Sequence, residues 1–264
     1  MDTLIMLCFA LVVLGVLLGV WALYFNRKRI EADSEFKQLI LPLLSEKPNL
    51  EFYPPPIQNA LTSIDGAIGI ILALVLDHRY QEQKDQWNFL SHRKESHWYQ
   101  SALSARGHVQ HLNKKYFIQV LELACEVIRL QPNEIIDPFM EIIEELISQD
   151  SFISLHEYCV YKYLTSRIPR ASQLHTQKKD PTLSEKAARE LVLESMRSEN
   201  FSYVKIENAV RVLQSSSSEF KEKLIVDLLY QAAEDNALSA YELELYFAVS
   251  VSLGISRERI LARL

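Results

Sequence analysis

Four histidines fall within twenty residues, at His92, His97, His108 and His111. Imidazole is the commonest protein ligand for a metal ion, so a cluster of this kind is the first place to look for chemistry. Its setting argues against a built site. Arg93, Lys94, Arg106, Lys114 and Lys115 surround the cluster, and cations beside the ligands oppose a bound cation, so the pattern reads as a solvated basic surface. A catalytic zinc helix of the form H-E-x-x-H would put two imidazoles on one face with a carboxylate to activate water. No such motif occurs: His92 and His97 are five apart, and His108-x-x-His111 has no adjacent acid. Glu141, Glu144, Glu145 and Asp150 could offer oxygens to calcium, but their spacing is not the ligand ladder of an EF-hand, so they read as a solvated helix face. Cys8, Cys125 and Cys159 are too few and too scattered for a disulfide framework or a zinc finger, and read as buried reduced thiols. Glycine-rich phosphate loops, nucleophile elbows and dinucleotide fingerprints are absent. The sequence therefore assigns no catalytic residue, no cofactor and no metal ligand, and leaves open whether the four histidines take a metal.

The elements that would position any site are helical. Six glycines in 264 residues and little two-residue alternation argue against sheets, while apolar stripes of helical period recur along the chain. They predict helices over 57–76, 79–91, 95–106, 113–130, 133–149, 154–168, 183–199, 203–214, 217–234, 239–253 and 256–263. The apolar run Ala67–Leu76 is bracketed by Asp65 and Asp77. It is shorter than the ~20 residues a membrane span needs, so it reads as a buried core helix. Residues 30–45 read as a juxtamembrane helix. Lys47 to Pro56, with Pro48 and Pro54-Pro55-Pro56, reads as a stiff, non-helical linker. Net charge is −6 with 23% charged residues, so nothing in the composition suggests nucleic-acid binding, and no nucleic-acid partner is expected.

The N-terminus differs from everything that follows. From Leu4 to Phe25 there is no charge, and at ~1.5 Å per residue a helix of about 33 Å would cross a hydrocarbon core of about 30 Å. A cleaved signal peptide would carry a positive charge where Asp2 stands and would end in small residues rather than Trp21, Tyr24 and Phe25. These aromatics suit an interfacial belt, and Arg27, Lys28 and Arg29 follow at the lipid head groups, with Lys37 and Arg93–Lys94 more distant candidates for the same contact. The positive-inside rule then puts the N-terminus outside and residues 26–264 in the cytoplasm. Leu11-Val12-x-x-Gly15-Val16-x-x-Gly19-Val20 matches most of the glycophorin-type dimer pattern, in which glycines four apart let two backbones approach. The anchor thus predicts a helix–helix contact, either with a second copy or with a different membrane partner.

An internal repeat organises the remainder. Asp150-x-x-Ile153-Ser154-x-x-Glu157 and Asp235-x-x-Leu238-Ser239-x-x-Glu242 share one form, 85 residues apart. Before each, Phe139 matches Leu224, Met140 matches Ile225 and Ile143 matches Leu228. After each, Tyr158 matches Leu243 and Tyr161 matches Tyr246. Each unit predicts an αα-hairpin. The serine is an N-cap, the glutamate completes a capping box, Ile153 or Leu238 pins the turn, and the aspartate closes the preceding helix.

This helix–D-x-x-φ-S-x-x-E–helix unit resembles the TerB-like all-helical fold. Taken with Ala67–Asp77, Asn133–Ile168 and Phe220–Ile255, most of 55–258 resembles the C-terminal extension of bacterial membrane zinc metallopeptidases related to the CAAX-prenyl proteases. Ser151 and Asn236 stand where that pattern has glycine, and the zinc helix is missing. The expected architecture is all-α: an anchor at 1–25, a juxtamembrane helix and linker at 26–56, a first hairpin domain at 57–170, a linker at 171–182 and a second helical unit at 183–264. The resemblance implies a bacterial inner-membrane protein that binds rather than catalyses. Its expected roles are a docking scaffold or oligomeric complex subunit, or a regulatory or substrate-presenting subunit of a separate membrane metallopeptidase. A metal-responsive module is a third, since TerB-like domains are associated with metal and tellurite stress.

Overall fold

Proline at the first turn of a helix loses an amide that has no intrahelical acceptor anyway, and its fixed φ suits the helix. Pro55 and Pro56 use this: they open helix α1 (Pro55–Ala60) after a short 3-10 turn at Leu50–Phe52. The expectation of a non-helical linker running to Pro56 is therefore corrected. Tyr53 and Ile57 are buried, and the Tyr53 hydroxyl donates to Gln119 Oε1 at 2.8 Å, so this stretch is packed onto the domain. The computed structural model describes residues 49–76, 80–93, 95–112, 114–149, 152–168, 183–233 and 238–263. The anchor at 1–25 with its packing face (Leu11, Val12, Gly15, Val16, Gly19, Val20) and its interfacial residues (Trp21, Tyr24, Arg27, Lys28, Arg29) lies outside them. So do the juxtamembrane segment 26–48, Asp150, Asp235 and 169–182.

The described residues form twelve α-helices and no strand. After α1 come α2 (Ile64–Val75), α3 (Tyr80–Ser91), α4 (Ser96–Gln110), α5 (Lys114–Ile128), α6 (Asn133–Ser148) and α7 (Leu155–Arg167). The remainder are α8 (Glu185–Ser198), α9 (Tyr203–Gln214), α10 (Ser218–Ala232), α11 (Ala240–Ser252) and α12 (Arg257–Leu261). The expected segment 57–76 is two helices, because Ser63 adopts an extended backbone and its Oγ caps α2 by accepting from Gly66 N at 3.1 Å. Conversely α4 runs through Gly107 to Gln110, past the expected end.

Helix α2 is the axis of the domain. Every residue from Ala67 to Val75 is buried, as a helix apolar on all sides requires. No helix among the described residues is long and apolar enough to cross a membrane, so this run is a core helix. Helix α4 lies closest against it, with α1, α5, α6 and α7 around the remaining faces. Helices α9 and α10 both pack on α8, and α11 joins them to α7. Buried residues from both halves, including Phe139, Tyr163, Leu224 and Phe247, form one continuous core.

Candidate functional site at the hairpin junction

Both capping boxes form, with nearly the same geometry. Ser154 Oγ accepts from Glu157 N at 3.2 Å, and Ser154 N donates to Glu157 Oε2 at 2.8 Å. Ser239 Oγ accepts from Glu242 N at 3.1 Å, and Ser239 N donates to Glu242 Oε2 at 2.8 Å. The two boxes start α7 and α11, which lie against each other along the junction. Matched positions behave alike: Phe139 with Leu224, Met140 with Ile225, Ile143 with Leu228 and Tyr161 with Tyr246 are all buried. Ile153 and Leu238 are half-buried against the core, as turn pins. One match differs, since Tyr158 is buried while Leu243 is half-exposed. Tyr163 and Phe247 stack across the junction at 5.3 Å and 20°. Gly254, at φ 68°, closes α11: Gly254 N donates to Val251 O and Ile255 N to Ser250 O, both at 3.0 Å, a turn that reverses the chain into α12.

Three ionic clusters fasten this junction. His156 of α7 meets Glu244 Oε1 of α11 at 2.8 Å through Nδ1, and the carbonyl of Leu74 through Nε2. Burial depresses the His156 pKa, but the Glu244 carboxylate and the Leu74 carbonyl outweigh it and hold the value above the ordinary one. Glu207 of α9 accepts from Lys162 Nζ at 2.8 Å, Arg211 Nε at 2.9 Å and the Tyr158 hydroxyl at 3.0 Å. Glu122 of α5 accepts from Arg257 of α12 at 2.7 Å; burial still raises its carboxyl pKa, with Arg257 pulling it down.

Where α5, α7, α11 and α12 converge there is a half-open cleft of about 300 Å³. Tyr163, Tyr246 and Phe247 wall it, Glu122 and Arg257 form its ion pair, and Arg167 lies over the Tyr163 ring at 5.5 Å. Burial pushes both phenols above their usual range. Burial likewise pushes the Cys125 thiol up to about 12 and Cys159 well above its ordinary value. A thiol so held is protonated near neutrality and is a poor nucleophile. The arrangement can bind an apolar or amphipathic group.

The four histidines do not converge. All four are exposed, His92 Nδ1 contacts the Asn88 carbonyl at 2.7 Å, and His97 Nε2 lies 3.5 Å from Asp65. Among the described residues no three His, Cys, Asp or Glu side chains come together to hold a metal. His108 lines a second cleft of about 310 Å³ between α1, α2 and α4. The solvated acidic face is corrected at Glu144, which is buried and accepts from the Tyr161 hydroxyl at 3.3 Å, and Glu145 pairs with Arg93 at 3.1 Å. Arg93 is thereby engaged within the fold.

No motif in the sequence singles out His156, Glu207 or Glu244. The signal for the glutamates was present: each is flanked at helical spacing by apolar residues, Glu207 by Val204 and Val210 and Glu244 by Tyr241 and Ala248. A carboxylate on an apolar stripe needs a buried partner. Comparison with family models, curated proteins and solved structures returns no match for this chain.

Proposed function

We propose that this chain is a non-enzymatic, single-pass inner-membrane protein whose cytoplasmic helical domain is a docking scaffold within a membrane complex. The observation that carries the reading is how the buried ionisable groups are used. His156–Glu244, Lys162–Glu207–Arg211 and Glu122–Arg257 each join helices to one another at 2.7–2.9 Å, so the polar interior holds a platform together. The paired capping boxes support the TerB-like hairpin reading on which this rests. The cleft at the junction offers aromatic walls with Arg167, Glu126 and Glu258 among its lining residues. That surface suits an amphipathic helix of mixed charge contributed by a membrane partner.

Co-purification of the full chain in mild detergent tests this reading. Wild type should bring down a stoichiometric membrane partner; a metallopeptidase there would specify a regulatory subunit. Arg167 is exposed and Val251 half-exposed, so Arg167→Glu and Val251→Glu alter the cleft without opening the core. Both should lose most of that partner while keeping the wild-type circular dichroism. Recovery of the same partner by both variants removes the cleft from the interface, and hydrolytic turnover by purified wild type refutes a non-enzymatic role.

The anchor enters as an interaction element. Gly15→Ile or Gly19→Ile should weaken association in a membrane reporter assay, because helices in lipid associate through close approach and a larger side chain prevents it. Leu17→Ile, on the opposite face, should not. Equal association by all three variants would leave the segment as a tether only.

A further inference from the structure

Helix α2 ends inside the protein, and the last carbonyls of a helix have no intrahelical donor. At Leu74 that donor is His156, brought in from α7. Its other nitrogen, Nδ1, faces Glu244 of α11. A carbonyl and a carboxylate are both acceptors, so the ring satisfies both only by donating from both nitrogens, which requires the imidazolium. The His156 and Glu244 side chains are only 20% and 12% exposed, so water replaces these bonds poorly. A positive group at a helix C-terminus also lies favourably along the helix dipole.

We propose that the His156 imidazolium is a proton-dependent latch that ties the second hairpin, through Glu244, to the end of the central helix. Its surroundings among the described residues favour the charge. Glu157 on its own helix adds negative potential, and the Gln86 amide of α3 donates to that carboxylate at 3.4 Å. Helix α5 contributes the Phe117 ring, 4.7 Å from the imidazole by centroids. When the proton leaves to solvent, one ring nitrogen becomes an acceptor facing another acceptor, and either the Glu244 bond to α11 or the Leu74 bond to α2 is lost. A histidine pKa raised by folding adds stability that is fully present below the ordinary value of 6.5. That stability is lost as pH rises through the higher, folded value, so the latch opens on the alkaline side.

Hydrogen exchange of peptides covering α11 in the full chain, read by mass spectrometry in mild detergent, tests this against His156→Gln. The ratio of the two proteins at each pH cancels the intrinsic pH dependence of amide exchange, and the variant has no imidazole proton to lose. At pH 6 wild-type α11 should exchange about tenfold or more slowly than the variant, and the ratio should fall towards one as pH rises through the folded value. A ratio that does not change with pH overturns the latch. Imidazole nitrogen resonances of the wild-type chain, selectively labelled at histidine, give a readout that needs no variant. Two protonated ring nitrogens at His156 at pH 6, with one proton lost on the alkaline side, support the proposal, and a singly protonated ring at pH 6 overturns it.

Discussion

Replacing Gly69 by leucine should leave the chain without a cooperative unfolding transition, and replacement by alanine should lower its melting temperature by a few degrees. The expectation runs against helix propensity. An alanine in place of a helical glycine ordinarily stabilises by about 1 kcal/mol. At Gly69 a Cβ would sit 2.6 Å from the Ser101 carbonyl carbon, 2.6 Å from its Cβ and 2.9 Å from Ala102 N. Two of those three atoms are main chain, so no rotamer change relieves the contact, and α4 must move off α2. These are the two most closely packed helices in the domain. Overpacking of this kind costs about 1–3 kcal/mol and sometimes more, which exceeds the propensity gain. Gly107, on the same α4 helix, is the internal control: nothing lies within 4 Å of its missing Cβ. Gly107→Ala should therefore raise stability by up to about 1 kcal/mol. Thermal melts of the three variants and the wild type by circular dichroism decide the matter. A Gly69→Ala melt at or above the wild type would mean that the α2–α4 contact does not depend on glycine.

That contact also marks the boundary of what the chain disclosed before its structure. Helical period gave nearly all of the helices, because an amphipathic stripe is a local pattern and each stripe here faces one core. The capping boxes at Ser154–Glu157 and Ser239–Glu242 were legible for the same reason: cap, donor and acceptor lie within four residues. Pro55–Pro56 misled because proline stops a helix from within but starts one from its first turn. Glu144 misled because its burial is decided by Tyr161, seventeen positions along and on another helix. The residue pairs across the junction are what the sequence does not show. His156 and Glu244 are 88 positions apart, and Glu122 and Arg257 are 135 apart. No local rule pairs such residues; only the tertiary docking of α11 on α7, and of α12 against α5 through Arg257, does.

The second large effect is expected at Glu207. This carboxylate is 4% exposed and is shared by two cations, Lys162 and Arg211, with the Tyr158 hydroxyl as a third donor. Burial alone would raise its pKa, but Lys162 first, then Arg211 and Tyr158, hold it below the ordinary 4.5. A carboxyl pKa lowered by folding contributes stability that is present above the ordinary value and is lost as pH falls through the folded one, so this cluster should make the domain sensitive to acid. Glu207→Gln removes the anion and leaves two cations facing each other beneath α7 and α9. Removing one partner of a buried ionic group costs about 3–5 kcal/mol, chiefly because the survivors stay buried without compensation. Glu194→Gln breaks an Arg197 pair of similar length, 2.7 Å, but both of its side chains are at least half exposed. Water takes over there, and the loss should be at most about 1 kcal/mol. Urea titration of both variants at neutral pH separates the two cases, and repeating it at successively lower pH should narrow the gap as pH falls through the folded value of Glu207. A triple change, Glu207→Leu with Lys162→Met and Arg211→Leu, removes every charge together. It should recover most of the stability that Glu207→Gln loses, because apolar groups of similar volume replace buried ionic groups at little net cost. If Glu207→Gln is no more costly than Glu194→Gln, the cluster is solvated and does not hold the hairpin junction together.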